Sequence, residues 1–178
     1  MRCPACGETL EAERRQPAVR RARRADPYLN KTLAGCRIAS RLSATRLSVT
    51  YRAVHQGYRL PVVIEVFPHG RPGYDEERMV VLLKGLAAAA ELRHPNVATI
   101  LELGRREGYD FVVRELVDGA SVRELIERRG RLPLSGALPI VEDVLGALCA
   151  ASPTGGPSHA GIWPDAILLD YDGRAKLG

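Results

Sequence analysis

The order of local patterns along this chain predicts an α+β fold. Three short strand-like runs come first, then a helical pattern, two more strand-like runs, two helical patterns and a closing hairpin. Strands that follow one another through short turns pair as an antiparallel meander, and helices grouped apart from them pack to one side or end of the sheet.

Order is expected to begin near Leu33, because Glu8 to Pro27 is polar, arginine-rich and without apolar periodicity, and reads as a mobile arm. Cys36 to Leu42, Leu47 to Val54 and Leu60 to Phe67 are rich in strand-forming residues, and His55-Gln56-Gly57 supplies the turn between the last two. The breaker-rich Pro68-His69-Gly70-Arg71-Pro72-Gly73 precedes a helical pattern from about Tyr74 to Leu92, in which Met79, Leu82, Leu83, Leu86 and Ala90 recur at helical spacing. Met79 to Ala90 is nearly all apolar and reads as a buried helix. Two strands are expected near Ala98 to Leu103 and Tyr109 to Glu115.

Ser121-Val122-Arg123-Glu124 is a capping box, whose hydroxyl and carboxylate satisfy unpaired amides at a helix start, and Gly130 ends that helix. Ser135 opens another, with Leu138, Val141, Val144, Leu145 and Leu148 on one face, and Pro153 and Gly155-Gly156 stop it. Ile167 to Leu169 and Arg174 to Leu177, joined by Asp170-Tyr171-Asp172-Gly173, form a hairpin by turn chemistry.

With 178 residues, 46% of them hydrophobic, the chain can bury one substantial core. No apolar run approaches the roughly 18 residues that span a bilayer, and no secretory h-region opens the sequence, so a cytoplasmic location is expected. The four cysteines do not form a disulfide framework of the secreted kind, since only Cys3 and Cys6 are close in sequence. Residues 1–25 hold seven Arg against three Glu, leaving the remainder nearly neutral against a total of +5.

Five local strings, in this order, resemble the serine/threonine protein kinase family of the bacterial type. Val62-Val63-Ile64-Glu65-Val66 resembles the V-A-I-K-V third strand, and His94-Pro95-Asn96-Val97 the H-P-N-I/V turn. Glu115-Leu116-Val117-Asp118-Gly119 is similar to the hinge between the two lobes. Ile167-Leu168-Leu169-Asp170 followed by Gly173-Arg174-Ala175-Lys176-Leu177 resembles the strands just before D-F-G, and Ser158 to Asp170 as a whole resembles the catalytic loop. The resemblance runs from about Leu33 to Gly178. It implies a protein-kinase-like fold with a five-stranded antiparallel N-lobe carrying one helix (33–114), a hinge (115–119) and a partial helical C-lobe ending in a β-hairpin (120–178). Residues 1–32 stand apart as a Cys-x-x-Cys turn and flexible arm.

At the chemical positions the family pattern is lost. The catalytic loop H-R-D-L-x-x-x-N needs an Asp to accept a hydroxyl proton and an Asn to hold magnesium. Gly161 and Ala166 stand there, and Trp163 replaces the basic residue that positions the transferred phosphate. His159 is retained and reads as a core histidine. Asp165, Asp170 and Asp172 match no catalytic position. The glycine-rich loop, whose lack of Cβ lets backbone approach phosphate, maps to Ser43, Thr45 and Ser48. The third-strand lysine maps to Glu65, and its helix partner, by interval, to Gly85. A carboxylate at that position repels what the lysine would attract.

Arg114 takes the place of the residue guarding the back of the adenine pocket, Val63 that of the small residue roofing it, and Glu115 and Val117 lie at the hinge. Arg114 is expected either to reach Glu65 and fill the cleft with that pair, or to extend to solvent. The family would continue beyond Gly178 into D-F-G and the larger helices, and the helix from Ser135 to Ala151 is expected to expose apolar surface in their absence.

The function these readings imply is a pseudokinase, a regulatory or protein-binding module and not an enzyme, with a protein partner or self-association. The alternative is a serine/threonine protein kinase retaining residual ATP binding. No cofactor is expected, ATP and magnesium entering only under that alternative. Cys3 and Cys6 form half of a zinc ribbon, open to zinc within one chain, to a site shared between two, or to a vestigial pair. The six Arg between Arg14 and Arg24 suit nucleic acid or an anionic membrane but lack interleaved aromatics, and a solvated linker is the plainer reading.

Overall fold

The computed structural model describes residues 26–151 and 162–178. Its strands are β1 (Thr32–Leu33), β2 (Cys36–Ala44), β3 (Val49–His55), β4 (Leu60–Pro68), β5 (Ile100–Arg106), β6 (Tyr109–Glu115), β7 (Gly119–Ser121), β8 (Ile167–Asp170) and β9 (Ala175–Leu177). Its helices are α1 (Glu76–Ala89), α2 (Val122–Arg129) and α3 (Leu134–Ala151).

Two antiparallel sheets result. The larger has six strands in the order β1-β2-β3-β4-β6-β5, and the smaller has three, β7-β8-β9. The expected five-stranded sheet thus gains β1, a two-residue strand pairing Leu33 with Cys36. The expected closing hairpin gains β7, so that the last residue of the expected hinge, Gly119, is a strand residue opposite Asp170. Glycine is required there, because a Cβ would lie 1.7 Å from the Leu169 carbonyl oxygen.

Alternation decides which face of the large sheet is core. Val49, Tyr51 and Ala53 of β3 and Val62, Ile64 and Val66 of β4 point inward with Ile38, Phe111 and Val113. Their intervening neighbours, Thr50, Arg52, Val63 and Glu65, face the other way. Order also begins earlier than Leu33. Asp26 accepts hydrogen bonds from the Tyr28 amide and, at 3.0 Å, from the buried Tyr51 hydroxyl, which ties residues 26–28 to the sheet.

The helix α1 starts at Asp75, whose carboxylate caps the Arg78 amide. It is not the buried helix its composition suggests. Met79 is its one buried residue, packing with Phe67, Ile100 and Val112, while Val81 is 70% exposed. One sheet face can cover only one stripe of a helix. The capping box at Ser121 and Glu124 is present in both its bonds, and Gly130 ends α2 with φ 81°.

The expectation that no stretch approaches membrane-spanning length is corrected by α3. With 18 residues and a mean hydropathy of 1.5 it is, by length and composition only, able to cross a membrane, because Glu142 and Asp143 interrupt the apolar run without lowering the average much. Here it packs one face on β9 through Val144 and Ala147 against Leu177, and Asp143 accepts the Ala175 amide at 2.7 Å. Leu134, at 72% exposure, Leu138, Val141 and Leu145 are open, which corrects the expectation of one face shared with Val144, because Val144 lies on the side that β9 covers.

The two sheets are strapped together by the segment between α1 and β5. Val97 bridges Leu177, Ala98 N–H donates to the Leu177 carbonyl at 2.7 Å, and the Asn96 side chain donates to the Ala175 carbonyl at 2.9 Å.

Candidate functional site

A cleft of about 560 Å³ opens between the two sheets. Its apolar lining comes from Leu42, Val63, Ala98, Leu116, Val117 and Leu168. The outward positions of β3 and β4 supply its roof because period-two alternation sends Thr50, Arg52 and Val63 away from the core.

Glu65 and Arg114 sit on adjacent strands β4 and β6, on that same outward face. Arg114 Nη1 donates to Glu65 Oε2 at 3.3 Å, and both side chains are 21% exposed. Arg114 lines the cleft and Glu65 does not, so the pair stands at one side and leaves the space open. That corrects the expectation of a filled cleft. A β4 to β6 pair spans neighbouring strands of one sheet, and its length keeps it against the sheet surface.

In the kinase pattern the third-strand charge reaches across to the helix. Here Gly85, on α1, offers no side chain, and the charge at Glu65 is met within the sheet instead. What holds α1 is a different network. Asp110, fully buried on β6, accepts from the Tyr74 hydroxyl at 2.7 Å and from Arg105 Nε at 2.8 Å, and His69 Nε2 lies 3.4 Å away. Arg105 also donates to Glu76 in the first turn of α1 at 2.7 Å. Burial and the Asp110 bond push the Tyr74 hydroxyl up to about 12.

The segment matching the glycine-rich loop is a closed turn. Ser43 lies in β2 opposite Thr50, and Ser48 is buried. Thr45 N–H donates to the Ser48 carbonyl at 2.9 Å, while the Thr45 hydroxyl oxygen accepts the amides of Leu47 and Ser48. At the hinge, Glu115 is engaged by the Lys176 ammonium of β9, and Arg123 donates to Asp165 at 2.9 Å. Of the catalytic-loop positions, Trp163 is exposed, and Ala166 takes the Gly178 amide on its carbonyl at 2.9 Å. Gly161 and His159 lie outside the described residues, as do Cys3, Cys6 and the arginines from Arg14 to Arg24.

Among the described residues, no group of three His, Cys, Asp or Glu side chains is placed to hold a metal. Cys36 is fully buried, and its thiol is pushed up to about 11, first by burial and then by Glu102. An unfolded thiol ionises near 9 and the folded one near 11, so stability is full below pH 9 and falls as pH rises towards 11. Urea unfolding from about pH 8 to about pH 11 is expected to show a loss on the order of 2 kcal/mol that Cys36→Ala removes.

Sequence reasoning misses Arg52, which joins Arg114 on the cleft wall, and the Lys176 to Glu115 contact. The alternation of β3 is a sufficient signal for Arg52. Nothing local announces the second, whose partners are 61 residues apart.

No family model matches the chain. Comparison with curated proteins finds serine/threonine-protein kinase PknL of Mycobacterium tuberculosis, 28% identical over 140 residues, covering 79% of this chain and 35% of PknL. PrkC of Bacillus subtilis, also a serine/threonine-protein kinase, is 33% identical over 90 residues, covering 51% of this chain and 14% of PrkC. The chain thus spans about a third or less of the length of these relatives. Among solved structures, the M. tuberculosis PknI kinase domain superposes with a TM-score of 0.73 at 25% identity, over 83% of this chain and 59% of that one. The chain is a protein-kinase-like domain whose relatives are bacterial serine/threonine protein kinases.

Proposed function

We propose that this chain is a pseudokinase, a regulatory or protein-binding module that does not transfer phosphate. The observation that carries this reading is Glu65, a carboxylate where the resemblance puts the phosphate-binding lysine, already bonded to Arg114 at 3.3 Å. A carboxylate about 4 Å from a phosphate oxygen adds repulsion of up to about 4 kcal/mol at the effective dielectric of a protein surface. Gly85, Gly161 and Ala166 remove the helix carboxylate, the proton acceptor and the metal ligand, and the Thr45 to Ser48 turn replaces the phosphate cradle. The open face of α1, with Val81 70% exposed, supplies apolar surface for a protein partner.

The open cleft and its apolar hinge wall favour the second reading, a kinase with residual ATP binding. Thermal unfolding with ATP, with and without magnesium, separates the two, since a ligand bound only by the folded state raises the melting temperature. No shift at about 1 mM nucleotide is the expected result. A saturable, magnesium-dependent shift would sink the phosphate-repulsion argument.

A further inference from the structure

His55 closes β3 with only 8% of its surface exposed, and both of its ring nitrogens are engaged. Nδ1 accepts the Tyr58 amide at 3.1 Å, and Nε2 lies 3.4 Å from Glu102 Oε2 on β5. A backbone amide can only donate, so Nδ1 carries no proton here, and Nε2 holds the one that a neutral imidazole has. A second proton can go only to Nδ1, where it would point at the Tyr58 N–H.

The Tyr58 bond helps to shape the tight turn from β3 to β4. Arg59 N–H donates to the His55 carbonyl at 2.8 Å, and Arg59 itself sits at φ 55°, a left-handed conformation that is costly for a residue with a side chain. The Tyr58 ring stacks on the imidazole at 4.3 Å, and a Cβ on Gly57 would lie 3.2 Å from His55 Cε1, so the ring has little room to turn. The groups around the imidazole come from three elements. Strand β5 brings Glu102, whose Oε1 is 3.8 Å from Arg106 Nη2. Strand β2 brings Cys36, the register partner of His55, whose thiol burial keeps protonated. The turn brings Tyr58, and the β1–β2 connection adds only the backbone of Gly35.

We propose that His55 is a proton-operated switch: neutral, it holds the β3–β4 turn through the Tyr58 amide, and protonated, it gives up that amide and pairs as an imidazolium with Glu102. The exchange trades a bond within the turn for a charge pair across to β5, so the two states differ in the turn and not in the core. Tyr58 and Leu60 there are more than half exposed, and what changes shape is therefore surface. None of these residues lines the cleft, and the switch works whether or not the cleft transfers phosphate.

Nitrogen-15 NMR of the full chain, titrated from about pH 8 to about pH 5, covers the range in which histidines change charge. At the upper end Nε2 is expected to carry the only ring proton. As Nδ1 gains its proton, protection of the Tyr58 amide, corrected for the pH dependence of intrinsic exchange, is expected to fall roughly five- to ten-fold, the worth of one hydrogen bond. Val62 to Val66 should keep their protection throughout, which also shows that each variant is folded. In His55→Asn, whose Oδ1 accepts an amide but takes no proton, Tyr58 should stay protected over the whole range. Glu102→Gln, which removes the charge that favours the imidazolium, should move the loss about half a pH unit lower. A proton on Nδ1 at the upper end, no uptake at the lower end, or uptake that leaves Tyr58 protection unchanged would overturn the switch. So would a loss that persists in His55→Asn, while an unmoved midpoint in Glu102→Gln would overturn the pairing across to β5.

Discussion

Asp110→Ala is expected to destabilise the domain by about 3 kcal/mol, the range in which removing one partner of a buried, hydrogen-bonded charge network falls. Asp110 is the buried acceptor on which Tyr74, Arg105 and His69 converge, and those three residues come from the loop before α1 and from β5. Without it the Tyr74 hydroxyl loses its partner, while Arg105, which is 40% exposed, can turn to water. A domain of this size should lose about 6 to 12 °C in melting temperature. Asp110→Asn, which keeps one acceptor oxygen, should lose about half as much. A melting temperature unchanged in Asp110→Ala would mean that α1 is held by Met79 and its apolar neighbours alone.

Glu65→Lys should cost about 2 to 3 kcal/mol and restore no phosphoryl transfer. The change puts a lysine back where the kinase pattern has one, yet leaves it facing Arg114 with no carboxylate at Gly85 to receive it. Two cations about 4 Å apart repel by up to about 4 kcal/mol at an effective dielectric of 20, less what partial exposure lets them recover by bending outward. The swap Glu65→Lys with Arg114→Glu should regain at least half the loss in urea unfolding, since it rebuilds the pair with reversed sign. Equal losses in the single and double variants would show that the two side chains do not interact. Activity on a generic peptide substrate from Glu65→Lys alone would reopen the enzyme reading.

Both residues of this pair are legible in the sequence, because the family resemblance sets Glu65 and Arg114 around one pocket, where a lone buried charge of either sign is costly. The strand β3 is legible because alternation reports which face is buried and its buried positions alternate cleanly, whereas β6 is buried on both faces from Asp110 to Val113 and reads from Phe111 to Val113 as a continuous apolar run. The strand β7 is not legible. Gly-Ala-Ser has no strand propensity of its own, and it is extended because Gly119 lets the Leu169 carbonyl approach. The helix α1 misleads by composition, since an apolar stretch says nothing about which of its sides a sheet will cover. Asp26 misleads by its neighbours, an acid next to an arginine-rich run whose role is set by the Tyr51 hydroxyl 25 residues on.

The strap between the sheets bears on synthesis. Asn96 and Ala175, which it joins, are 79 residues apart. At about 5 to 20 residues per second, a ribosome that has finished Asn96 needs roughly 4 to 16 s more to make its partner. During that interval the large sheet can close on local pairings, but the Leu177 edge that Val97 and Ala98 need does not yet exist. The growing chain therefore carries an unpaired segment beside the hinge for seconds, long enough for a chaperone to find it.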